Sequence, residues 1–214
     1  MPPTVRDSTF ESIVWESYDW SALEGVAPIS RDEFFARQDE LARVLAREGF
    51  DAFIAEPGGT SQYYVNVSNS AWELSERPFL SVVTPEDLFF LAPLFEVSRA
   101  KMLNIVTNET KFVTWAEGTT SLNMLLTVDT SPYKTLLKKL PAKAKVMVDD
   151  NVRSFISQNL IAQGATVLPQ SPNVAAIRET KSPAEISILK AVPPHPISPP
   201  PSQSNVNTGK HRHR

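Results

Sequence analysis

Two β-rich runs, residues 79–84 (FLSVVT) and 88–92 (LFFLA), are separated by only Pro85, Glu86 and Asp87. A connection that short joins antiparallel strands, because a parallel pair needs a crossover of about a dozen residues or more. Around this hairpin the pattern alternates between helix and strand, which favours parallel pairing. The combination predicts an α/β fold: a mixed β-sheet flanked by helices on both faces.

The elements around the hairpin are marked by their ends. Ser30-Arg31-Asp32-Glu33 is a capping box, in which the Ser and Glu side chains are expected to satisfy orphan amides reciprocally. Phe34, Leu41 and Leu45 then mark one helical face, and Gly49 closes the helix. Residues 51–55 (DAFIA) read as a strand ended by the breaker run Glu56-Pro57-Gly58-Gly59-Thr60. Downstream, the pattern predicts a helix over 95–103 and a strand over 111–115. Ser131-Pro132 starts a helix over 133–140, followed by a strand over 145–149. A helix over 152–163 ends at Gly164, and a last strand covers 165–168. Ser182-Pro183-Ala184-Glu185 opens one more helix, which Pro193-Pro194 stops.

Composition removes several chemistries. The chain of 214 residues has no cysteine, and its three histidines, His195, His211 and His213, all follow Lys190. A catalytic triad or an imidazole-dependent metal site therefore has no histidine available in the region that reads as folded. The net charge of -3 offers no broad attraction for nucleic acid or an anionic membrane. The opening residues lack the basic start and apolar run of a secretory signal, and no run is apolar enough to span a bilayer. A soluble, cytoplasmic protein is expected.

Three places could carry a site. Pro57-Gly58-Gly59-Thr60 could present amides to an anion, although it lacks G-x-G-x-x-G spacing and a P-loop lysine, so a plain turn is the preferred reading. Asp149-Asp150 at a strand end could hold a divalent cation, or Asp150 could cap the helix near Val152, and the cap is preferred. Residues 63–78 are dense in aromatics and amides. They could line a pocket and form a substrate or subunit contact built on Arg77, Trp72 and Tyr64, or form a packed connection in which Arg77 pairs with Glu73 or Glu76.

The sequence resembles the creatinase-type N-terminal domain of the M24 metallopeptidases, the family of Xaa-Pro aminopeptidase, Xaa-Pro dipeptidase and creatinase. The likeness covers about residues 29–192. It is carried by Asp51-Ala52-Phe53-Ile54, Tyr63-Tyr64, the hairpin, and the run Ile177-Arg178-Glu179-Thr180-Lys181-Ser182-Pro183-Ala184-Glu185-Ile186. Arg178, Lys181, Glu185 and Ile186 match the family's R-x-x-K-x-x-x-E-I passage toward its catalytic domain. The resemblance implies a domain without catalytic residues. In complete relatives two Asp, one His and two Glu of a further domain hold a pair of divalent ions. It also implies a role in oligomer contact and in shaping the active-site entrance.

Four stretches are then expected: an N-terminal extension over 1–28, the creatinase N-terminal-like α/β domain over 29–176, a linker with a truncated first helix over 177–192, and a disordered Pro-rich basic tail over 193–214. Residues 118–129 read as an insertion relative to the family. The favoured function is a non-catalytic fragment or splice form of a metallopeptidase, inert alone and binding no cofactor. The alternatives are an interaction module that self-associates or joins a full-length M24 peptidase, and a metal-dependent hydrolase using Asp149 and Asp150.

Overall fold

A computed structural model describes residues 24–116 and 131–191. The expected insertion, the Pro-rich tail and nearly all of the N-terminal extension lie outside the described residues. The chain divides into a compact unit, Pro28–Pro183, and a second unit whose described element is a single helix.

The first helix, α1 (Arg31–Glu48), begins and ends where its caps place it. Ser30 Oγ accepts from the Glu33 amide at 3.1 Å, and Gly49 takes the left-handed conformation at φ 68°. The Glu33 carboxylate, expected to return to the Ser30 amide, instead accepts from Arg37 one turn on and from Ser182. Phe34, Leu41, Val44 and Leu45 form the buried stripe.

Strand β1 (Ala52–Ala55) follows, then α2 (Gly59–Val65), a helix that sequence reading took for a turn and connection. Next come the hairpin strands β2 (Leu80–Val83) and β3 (Leu88–Pro93), then a short 3-10 turn, Leu94–Glu96. The helix α3 (Val97–Ala100) is shorter than expected, because only Ala100 of it is buried while Leu94, Phe95 and Met102 face outward. Without a continuing apolar stripe, tertiary packing does not extend the helix. Strand β4 (Phe112–Trp115) and helix α4 (Pro132–Leu137) follow, the latter with Ser131 Oγ accepting from the Lys134 amide. The rest are β5 (Lys145–Val148), α5 (Ser154–Ala162), β6 (Thr166–Pro169), α6 (Pro172–Glu179) and α7 (Pro183–Ala191). No element was anticipated at the start of α6. Its N-cap, Ser171, accepts from the Val174 amide, with Pro172 in the first turn.

The sheet order is β4-β3-β2-β1-β5-β6. β2 runs antiparallel to both β1 and β3, and every other pair is parallel, so the expected mixed sheet is present. Side chains alternate between two cores. On one face Phe53, Ala55, Val83, Phe90 and Met147 pack with Leu41, Leu45, Tyr64 and Val174, which come from α1, α2 and α6. On the other, Ile54, Leu80, Leu91, Val146 and Val148 pack with Leu136 of α4 and with Ile156 and Leu160 of α5. Covering both faces is what allows the central strands to be apolar without alternation.

Candidate functional site

The polar side chains that the fold gathers lie beyond the carboxyl ends of β1 and β5. These strands are parallel neighbours, and the chain leaves them in opposite directions, β1 toward β2 and β5 toward β6. Such a switch point is where open α/β sheets place ligands. Here Glu56 follows β1 directly and Asp149 follows β5, and both are buried.

Each carboxylate is already engaged. Glu56 forms a two-pronged ion pair with Arg153, whose Nη2 and Nε reach Oε1 at 2.6 and 3.0 Å. Its Oε2 also accepts from the Arg153 amide at 3.0 Å, so Glu56 supplies the start of α5 with an acceptor from a strand end far away in sequence. This corrects the expected cap. Asp150 is exposed, and α5 starts at Ser154, too late for Asp150 to be its N-cap. Burial, and after it the Glu56 charge, push the neighbouring Tyr133 phenol up to about 12, with Arg153 opposing.

Asp149 accepts from Thr60 Oγ1 at 2.7 Å, and the Asn151 amide donates to its other oxygen at 3.4 Å. Thr60 in turn accepts from Arg178 of α6. The Gly58-Gly59 turn is likewise used within the chain, the Gly58 carbonyl accepting from the Gln62 amide at 2.8 Å and its amide donating to Val67. Among the described residues no group of three or more His, Cys, Asp or Glu side chains could hold a metal ion. The donor set therefore does not fit a dinuclear centre, which needs several converging carboxylates.

The three candidate contact residues are in different surroundings. Trp72 is 2% exposed and stacks on Phe79 with centroids 4.4 Å apart, the Arg99 guanidinium lying 4.3 Å above its ring. Tyr64 is equally buried, edge-on to Tyr63 and Phe53. Arg77 alone is partly exposed. It donates to Glu76 at 2.6 Å, one of its two expected partners, and its guanidinium sits 5.4 Å from the Phe95 ring centre.

Among the described residues the Tyr64 hydroxyl finds no hydrogen-bond partner. Burial, with Tyr63 next, raises its pKa far above that of a solvated phenol, while Arg178 and Arg37 oppose the shift. A buried hydroxyl without a partner costs about 1 to 3 kcal/mol. Tyr64→Phe removes the cost and keeps the ring, so it is expected to raise stability by about 1 kcal/mol in urea unfolding. A loss of stability would mean that the hydroxyl is satisfied in solution.

The sequence points to Thr60, Tyr63 and Arg178 without what their side chains do, and it leaves Arg37 unmarked. Arg37 is buried on α1, donates to the Tyr63 carbonyl at 3.1 Å, and holds its guanidinium 4.0 Å from the Tyr63 ring centre. A charged residue on the apolar face of an amphipathic helix was the available signal.

No family model matches the chain. It is 37% identical over 174 residues to an uncharacterized peptidase of Schizosaccharomyces pombe, a match covering 77% of this chain and 36% of that protein. Dipeptidase PepE from Mycobacterium ulcerans superposes with a TM-score of 0.61 at 18% identity, over 75% of this chain and 40% of that one. A proline dipeptidase from Streptococcus agalactiae superposes with a TM-score of 0.51 at 16% identity, over 69% of this chain and 99% of the solved chain. The chain thus spans well under half the length of the first two. The likeness establishes a creatinase N-terminal-like fold. Among the described residues no helix is long and apolar enough to cross a membrane.

Proposed function

We propose that the folded unit is the non-catalytic N-terminal domain of an M24-type Xaa-Pro metallopeptidase, that it hydrolyses nothing alone, and that it works in the cytoplasm. The observation carrying this reading is the uneven coverage: 77% of this chain aligns with only 36% of a peptidase-type relative. The local chemistry supports it, since Glu56 and Asp149, the buried carboxylates at the switch point, are both committed to internal partners. The pair of divalent ions belongs, on this reading, to complete relatives. Rigorously purified protein of this sequence, supplied with manganese, cobalt or zinc ions, is expected to leave a Xaa-Pro dipeptide uncut. Chelator-sensitive turnover that co-purifies with it would refute the reading and revive a metal-dependent hydrolase.

A second reading, an interaction module that joins a full-length peptidase or a second copy of itself, is favoured by the surface around Arg77. Leu94 and Phe95 are 58% and 59% exposed, and Arg77 lies against the Phe95 ring. Exposed apolar side chains beside an arginine form the kind of patch that protein contacts use. Arg77→Glu combined with Phe95→Ser is expected to leave the unfolding midpoint nearly unchanged while abolishing co-purification with a full-length peptidase. Failure of the unaltered protein to bind itself or such a peptidase would dispose of this reading.

A further inference from the structure

Residues 177–183, at the end of the sheet unit, are held by several side-chain ties, and we infer that they form a latched hinge whose two catches are Arg178 on Thr60 and Ser182 on Glu33. At the first catch the Arg178 guanidinium donates to Thr60 Oγ1, and the Thr60 hydroxyl donates a hydrogen bond to buried Asp149 at 2.7 Å. The pull of a cation on one side and a carboxylate on the other fixes the hydroxyl between them. At the second catch Ser182 Oγ donates to Glu33 Oε1 at 2.7 Å, and Arg37 donates to the same oxygen. Tyr63 joins the two catches. Its hydroxyl donates to the Ile177 carbonyl at 3.0 Å, and its ring has Arg37 at 4.0 Å and Arg178 at 5.8 Å.

The backbone between the catches is where bending would occur. α6 ends at Glu179, Thr180 is extended at φ -84° and ψ 112°, and α7 starts at Pro183. The residue before a proline is held out of helical conformation, so α6 and α7 cannot fuse into one helix. Lys181 donates to the carbonyls of Arg178 and Glu179 and closes the end of α6. The R-x-x-K spacing therefore has a local physical meaning: Arg178 latches the helix to α2, and Lys181, three residues on, caps it. With both catches closed, residues 178–182 are held against α1 and α2. With both open, Thr180 and Lys181 are free to pivot. The inference does not depend on the peptidase reading, because it concerns residues within one compact unit.

Hydrogen exchange of the amides of Arg178, Glu179 and Thr180, measured in the intact chain, tests the latch. Charge-assisted hydrogen bonds of this kind hold local opening back by roughly tenfold each. Ser182→Ala and Arg178→Met are each expected to speed exchange in this segment by about tenfold, and the double variant by more than either. Amides of β1 and β5 are expected to exchange as before, which a general loss of stability would not allow. If Arg178→Met fails to fold, Ser182→Ala beside Glu33→Gln reads the second catch alone. Unchanged exchange at 178–180 in the folded variants, or equal acceleration across the sheet, would overturn the inference.

Discussion

Truncating Trp72 to alanine is expected to cost about 3 to 5 kcal/mol, enough to unfold much of a domain of ordinary stability. The ring is almost fully buried, stacked on Phe79, which in turn stacks on Phe90 with centroids 5.8 Å apart. Removing it opens a cavity against Phe79 in the core and strips Arg99 of the aromatic face it covers. Urea unfolding monitored by far-UV circular dichroism measures the cost. Were Trp72 a docking residue that folding does not need, the midpoint would stay put and only association would fall.

Arg153→Ala is expected to lower stability by about 3 kcal/mol at neutral pH, because it leaves Glu56 buried with no opposite charge. The Glu56 side chain is 4% exposed and that of Arg153 31%, so water can reach the cation far more easily than the anion. Urea unfolding of the variant beside the unaltered protein measures the loss, and an unchanged midpoint would show that Glu56 finds another partner or water. Glu56→Gln with Arg153→Met should recover much of the loss, since an apolar replacement of a buried pair is often close to neutral.

Much of the fold was legible because its signals are local. Ser30, Ser131 and Ser182 mark helix starts, Gly49 and Gly164 mark stops at positive φ, and the three-residue gap after Thr84 dictated an antiparallel pair. The elements missed are those whose local preference disagrees with their final state. α2 (GTSQYYV) opens on glycine and ends on Tyr-Tyr-Val, a composition closer to turn and strand than to helix. It is helical because that conformation buries Tyr64 and Val65 together against β1 and α1. The expected helix over 95–103 is cut down to Val97–Ala100 for the converse reason, an adequate local pattern whose Phe95 and Met102 stay exposed instead of extending a buried stripe.

The candidate site was less legible than the fold. Sequence order could suggest that Asp150 caps a nearby helix. It could not show that the acceptor is Glu56, from the end of a strand on the other side of the hairpin. Arg178 and Thr60, and likewise Ser182 and Glu33, are separated by more than a hundred residues, and no periodicity links them.

The sequence by itself settled the class of fold, the hairpin, most helix starts and the lack of cysteine, because each follows from the conformational preferences of a few adjacent residues or from composition. Which carboxylates are buried, what they hold, and which aromatic rings are core rather than surface were decided only by tertiary structure. Burial and ion pairing depend on what the closing sheet brings together, and desolvation makes each pairing obligatory only once the chain has folded around it.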